Sequence, residues 1–278
     1  MLSRKLAVRV AGEVVGLSDS RLQGMECRLD AFFSETDTTT AFGWRPMALL
    51  RFLRAQSPMA AFFLLDVKPA IRARRKAPKE DVISHLIAQG YGDTEILTEC
   101  VTYGAAGMVT TREFICVAAW HLLDQPTLRD RYLVGGEEER YAILHEILRL
   151  EPVVGDLYRR ATADLVLESD GQTVTIPAGA LIDLHIHGTN SDKTVVGADP
   201  LLVCPARPLH PENATPAVMS FGDGTHRCPG FSVAIQEADI FLHKLLALPG
   251  LHIVQSPTVG WNAVVTGYEI RNFQIALG

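Results

Sequence analysis

Apolar residues recur at three- and four-residue spacing over Leu6–Leu17, Ser20–Phe33 and Arg45–Leu65, the period of a helix with one buried face. Proline cannot continue a helix interior without cost, so Ser57-Pro58 predicts a break in the third of these. Asp66–Lys79, DVKPAIRARRKAPK, packs six basic residues into fourteen and reads as a solvated helix face, with a nucleic-acid or redox-partner patch as the alternative. Asp81 then caps a short helix through Gln89. Thr94–Leu123 predicts one long helix interrupted by GAAG at Gly104–Gly107. A short helix restarts at Gln125-Pro126, Gly135-Gly136 turns the chain, and Glu137–Leu150 is helical again.

From Arg159 the period changes to two. RRATADLVLESDGQTVTIPAGALIDLHIHG alternates around Asp170-Gly171 and Pro177-Ala178-Gly179, which predicts a small antiparallel sheet of three strands. Residues 189–217 hold five prolines and read as loop. A helix from about Phe231 to Leu248 and a short hairpin complete the chain. The expected class is mainly α with a small β region: 1–150 mostly helical, 151–278 holding the sheet, a glycine-rich loop and the last helix.

Composition narrows the partners. The chain has 278 residues, enough to bury a real core, and 47% of them are hydrophobic. A net charge of -6 argues against a nucleic-acid binder. Five cysteines form no C-x-x-C pair, and their odd number argues against a disulfide framework. The first residues lack the apolar core and cleavage site of a secretory signal, and no apolar run is long enough to span a membrane. Cytoplasmic localisation is the expectation.

Against that background one thiol stands out. In SFGDGTHRCPG, Ser220–Gly230, Cys228 lies among three glycines and just before a helix start, where free N–H groups and partial positive charge favour a thiolate. A thiolate is a nucleophile or a metal ligand. His226 is near enough in sequence to act as a base, but no second orienting residue is evident. Zinc would need companion ligands at defined spacing, whereas a single thiolate suits haem. A free cysteine is more often a small buried hydrophobe. His185 and His187, two apart on one predicted strand face, have no third ligand and read as structural or exposed.

Phe221-Gly222-x-Gly224-x-His226-x-Cys228-x-Gly230 resembles the haem-binding signature of the cytochrome P450 superfamily, bacterial type, with every specified position filled. Three further motifs follow the family's order. Glu146-Ile147-Leu148-Arg149 resembles its E-x-x-R, whose spacing lets carboxylate and guanidinium meet on one helix face, and Arg207 matches the arginine completing that structural cluster. Ala106-Gly107-Met108-Val109-Thr110-Thr111 resembles the oxygen-binding groove. The signature match is specific; a lone E-x-x-R or AGxxTT is weak, but four motifs in one order at compatible distances outweigh the bland readings.

The resemblance implies one haem-thiolate domain over 1–278, binding haem b (iron protoporphyrin IX) with Cys228 as metal ligand. It implies that Phe221 shields the sulfur, that Arg159 and His226 hold propionates, and that Gly222, Gly230, Ala106 and Gly107 line the cofactor. Val153, Val154, Gly155 and Asp156 should face a small-molecule substrate. Thr110 should be catalytic, with electrons from a ferredoxin-type donor. Two departures shape this expectation. Typical members carry a further region before the point where the resemblance begins, so a homodimer or hetero-partner is expected to cover the open haem edge. The family's usual acid beside the threonine is here Val109, which carries no proton; Glu113, four residues on, is the substitute candidate. The expected activity is monooxygenation. The alternative is a haem-binding relative without normal oxygen activation, acting by peroxide-driven oxidation, non-oxidative rearrangement, ligand binding or scaffolding.

Overall fold

The computed structural model describes residues 2–25, 27–28, 59–169, 171–205, 207–211, 214–263 and 265–278. They form two compact units, Met1–Ile115 and Cys116–Gly278.

In the first unit, α1 (Leu2–Val15) buries Ala7, Val8 and Val15 on one face and ends at Gly16, whose φ of 96° only glycine adopts readily. The predicted helix at Ser20–Phe33 differs in its described part. Residues 21–23 form a bend flanked by irregular Ser20 and Gly24, and helical conformation begins at Met25. The remainder, and the predicted break at Ser57-Pro58, lie outside the described residues. The chain does not stop at Leu65 as its apolar pattern suggested. A π-turn, Phe63–Val67, carries the helix straight into α2 (Lys68–Lys76).

The basic stretch splits by face. Arg72, Arg75, Lys76 and Lys79 are exposed, as a solvated face requires. Arg74 is 3% exposed. Its guanidinium meets the Asp81 and Asp19 carboxylates, the latter at 2.6 Å, and donates to the Gly16 carbonyl at 3.1 Å and Ser18 Oγ at 2.8 Å. Asp81 in turn caps α3 (Val82–Ala88) by accepting from the Ser84 amide at 2.8 Å. Burial alone would raise the Asp81 carboxyl, but hydrogen bonds from Arg74 and Ser84 outweigh it and hold the group below its ordinary value.

The long helix forms as α4 (Asp93–Gly104), a π-turn at Ala105–Val109 and α5 (Thr110–Asp124). The interruption foreseen at GAAG is therefore a bulge inside a continuous helix, a device common at functional sites. Gly107 faces α1, where an added Cβ would lie 3.2 Å from that of Ala11; a larger side chain would push α1 off the turn.

In the second unit, α6 (Pro126–Val134) and α7 (Glu137–Leu150) pack together and against the helix that follows the cysteine loop. The expected three-stranded sheet is instead two separate antiparallel ladders. Strand β1 (Asp156–Arg160) pairs with β4 (Leu181–His185), and β2 (Leu165–Ser169) pairs with β3 (Gln172–Ile176), Ser169 standing opposite Gln172. His185 and His187 do not share a strand, because the chain turns helical at Ile186 in α8 (Ile186–Asn190). One more helical turn, α9 (Lys193–Val196), lies in the proline-rich stretch. The terminal helix is α10 (Phe231–Leu246). Beyond it, β5 (Leu251–Gln255) pairs with β8 (Gln274–Leu277), enclosing the hairpin of β6 (Thr258–Asn262) and β7 (Gly267–Arg271).

A buried polar network ties these helices. The Tyr132 hydroxyl donates to Asp239 at 2.7 Å, and Arg140 grips the same carboxylate at 2.8 and 2.9 Å. No helix among the described residues is long and apolar enough to cross a membrane.

Candidate active site

The cysteine loop is built backwards from α10. Gly222 and Gly224 take φ of 67° and 62°, a left-handed backbone that glycine alone enters without a Cβ penalty. The loop then closes on itself. The Gly222 amide donates to the Met219 carbonyl at 2.9 Å, and the Cys228 amide donates to the Phe221 carbonyl at 2.8 Å. Phe221 meets Phe231 edge-on with centroids 6.1 Å apart, and the Arg227 guanidinium lies 4.5 Å over the Phe231 ring.

Cys228 is half-buried. A Cβ built on Gly230, the N-cap of α10, would lie 3.9 Å from its Sγ. The N-cap Gly230 has no side chain to cap α10, so among the described residues its first amides have no side-chain cap and can act as donors near that sulfur. An uncapped helix start of this kind stabilises negative charge. Cys100 shows the opposite case: wholly buried in the first unit's apolar core, its thiol is pushed up by burial to about 12. None of the five cysteines forms a disulfide.

Behind the loop, Glu146 and Arg149 meet on one face of α7 through paired bonds of 2.8 Å. The same carboxylate accepts from Arg207 Nε at 3.1 Å and from the Cys204 amide at 3.0 Å. Burial would raise the Glu146 carboxyl; the bonds from Arg149, Cys204 and Arg207 dominate and lower it. Arg149 is fully buried and also donates to the Asn190 carbonyl at 2.7 Å.

On the segment after α7, Val153 is buried, Val154 bridges Gly267, and the Gly155 amide donates to the Thr266 carbonyl at 2.9 Å, so backbone pairing anchors Val153–Asp156 at the start of β7. Asp156 opens β1 and is half-buried. Arg159 is exposed on the same strand and donates to the Tyr158 carbonyl; His226 is exposed in the 3₁₀ turn Gly224–His226. In the first unit, Ala106, Gly107 and Val109 lie in the π-turn, and the Thr110 hydroxyl donates back to the Ala106 carbonyl. Glu113 is 1% exposed and ion-paired to Arg112.

Sequence patterning missed two side chains at the loop's base, Asn190 and Ser220. Neither sits on a periodic face, and their role follows only from where α7 ends.

A family model described as Cytochrome P450 matches residues 141–248, the stretch from α7 through the cysteine loop to the end of α10. Cytochrome P450 130 of Mycobacterium tuberculosis is 31% identical over 215 residues, covering 74% of this chain and 49% of its own length. The chain belongs to the cytochrome P450 family. The mycinamicin IV hydroxylase/epoxidase of Micromonospora griseorubida is 26% identical across 91% of this chain and 59% of its own length. The chain thus spans roughly half to three fifths of these curated P450 relatives. The crystal structure of CalO2 superposes with a TM-score of 0.79 at 20% identity, covering all of this chain and 66% of that one; this is the P450 fold.

Family membership implies haem b as cofactor. The loop fits that group on its own chemistry. It offers one thiol outside any disulfide, at an uncapped helix start, and glycines whose left-handed backbone lets the loop turn tightly. Among the described residues no set of three or more His, Cys, Asp or Glu competes for a metal.

Proposed function

We propose that this chain is a haem-thiolate oxidoreductase, a monooxygenase of small or medium organic substrates that takes electrons from an external ferredoxin-type donor. The observation that carries the reading is the Cys228 sulfur lying over the uncapped start of α10 in a loop opened by glycines. Cys228 would hold the haem iron through its thiolate, and the first amides of α10 would hold its negative charge. Phe221 would limit water at the sulfur, and Arg159 and His226 would pair with propionates. Val153–Asp156, fixed by their backbone to β7, would form part of the substrate wall. Haem, once bound, supplies the redox centre at which dioxygen is reduced. Thr110 would accept or relay a proton through its hydroxyl, whose own hydrogen is held by the Ala106 carbonyl. The relative named as a hydroxylase/epoxidase supports oxygen insertion as the reaction class.

Residues 1–278 would act as one haem-thiolate domain in the cytoplasm. A second copy or a hetero-partner would complete the cover over the cofactor. Carbon monoxide added to the reduced protein should give the red-shifted Soret band of a thiolate ligand, and Cys228→Ala should abolish it. A wild-type protein loaded with haem but lacking that band overturns the assignment.

Two side chains of the first unit favour a second reading. Val109 carries no proton, and the Glu113 carboxylate is buried against Arg112 rather than free to shuttle one. Haem would then be bound without efficient oxygen activation, leaving peroxide-driven oxidation or non-oxidative rearrangement. A positioned acid contributes roughly a hundred- to ten-thousand-fold in rate. Product formed with a ferredoxin couple and oxygen, compared with peroxide, separates the two, and Val109→Asp should raise the first relative to the second under this reading.

A further inference from the structure

The last-turn carbonyls of a helix have no partner within it. In α7 the carbonyls of Leu148 and Arg149 are taken up by side chains from other segments. The Ser220 hydroxyl donates to Leu148 O at 2.9 Å, and Asn190 Nδ2 donates to Arg149 O at 3.0 Å. The same Nδ2 donates to Ser220 Oγ at 2.8 Å, while Asn190 Oδ1 accepts from the Met219 amide at 2.9 Å. Because Met219 N can only donate, the amide has one orientation that satisfies every contact. Asn190 is 0% exposed, and its own carbonyl accepts from Arg149.

These bonds form one chain of contacts from the Glu146–Arg149–Arg207 cluster to the residue before Phe221. Met219 then accepts from Gly222, and Phe221 accepts from Cys228. We propose that Asn190 is the positioning residue of the cysteine loop, locking Met219 and Ser220 to the end of α7 and so fixing where Phe221 and the Cys228 sulfur stand. Its effect on the loop follows from geometry alone; its effect on the cofactor rests on the haem-thiolate reading.

The loop's internal bonds do not supply this lock, because they run between its own residues, and α10 begins without a side-chain cap. Removing the Asn190 amide leaves Arg149 O, Met219 N and a Ser220 bond unmet inside the protein, so the loop gains freedom while α7 and α10 keep their packing.

Hydrogen exchange on the full chain without haem tests the first part. Asn190→Ala and Ser220→Ala are compared with wild type and with Tyr132→Phe, which removes a buried hydrogen bond to Asp239 away from the loop. In Asn190→Ala, exchange across residues 219–228 should rise about tenfold or more, the factor matching a net loss near one buried hydrogen bond. In Ser220→Ala it should rise in the same segment by less. Tyr132→Phe should lower the melting temperature with exchange in 219–228 unchanged. Equal exchange there in Asn190→Ala and Tyr132→Phe overturns the proposal. If Asn190→Ala does not fold, the same comparison is made with Ser220→Ala, and equality with Tyr132→Phe overturns the proposal again.

The haem-loaded proteins provide the second readout. The fraction giving the thiolate band with carbon monoxide should fall in Asn190→Ala and hold in Tyr132→Phe; the reverse order overturns the cofactor part. If wild type itself lacks the band, the haem-thiolate reading fails, while the exchange result still decides the role of Asn190 in the loop.

Discussion

Two buried arginines do different things with the same chemistry. Arg74 in the first unit and Arg149 in the second are both almost inaccessible, and each binds carboxylate and backbone oxygen together. Arg74 closes a local knot, joining the end of α1 to the cap of α3, and its partners bond on to near neighbours, Asp81 to the Ser84 amide. Arg149 has Glu146 on one side and Asn190 on the other, and Asn190 leads on to the cysteine loop. A buried ion pair is weak grounds for claiming stability, because desolvation offsets much of its attraction. What separates these two is what each is attached to.

Breaking either cluster should give the largest effect. Glu146→Ala strands two buried guanidiniums, and Arg74→Ala strands the buried carboxylate of Asp81; removing one partner of such a pair costs about 3–5 kcal/mol. Urea unfolding should show comparable losses for both. Hydrogen exchange at residues 219–228 should respond to Glu146→Ala and stay unchanged in Arg74→Ala, and a response to both would erase the distinction.

A smaller effect sharpens it from the site's own helix. Burial pushes the Glu237 carboxyl up to about 7, and its Oε1 has no partner among the described residues. The fold therefore prefers the protonated acid. The stability this provides is complete below the ordinary glutamate range and is lost as pH rises towards and through about 7. Glu237→Gln should be more stable than wild type at pH 8 and no more stable at pH 4. The side chain is partly open to solvent, so screening leaves a difference on the order of 1 kcal/mol. Melting curves at the two pH values check this, and a gain that persists at pH 4 rules it out.

The smallest expected change is the control. Arg75 adjoins Arg74 but pairs with Asp93 at the surface, so Arg75→Ala should alter stability by no more than about 0.5 kcal/mol in the same urea titration. A loss matching that of Arg74→Ala would mean the exposed face of α2 is not merely solvated.

The Arg74–Arg75 contrast also shows what patterning reads well. Ala70, Ile71 and Arg74 share the buried face of α2, so the helical period that located the element also contained the clue to Arg74; counting charges along the stretch concealed it. Elements carried by a strong period and clear stops, such as Glu137–Leu150 between Gly136 and Pro152, agree with the expectation residue for residue. The sheet was misread because a turn signal reveals only a neighbour. Asp170-Gly171 marks the β2–β3 hairpin, but β1 pairs with β4 across that whole hairpin. The glycines of the loop were legible because left-handed backbone needs them. Asn190 was not, since a side chain that answers another helix's unpaired carbonyls leaves no trace in its own neighbourhood.

The contact between Gly107 and Ala11 has a mechanical corollary. The Ala11 methyl leaves room for hydrogen alone on Gly107, so α1 packs close against the π-turn. A shift of α1 would therefore press on the same turn whose Ala106 carbonyl holds the threonine hydroxyl.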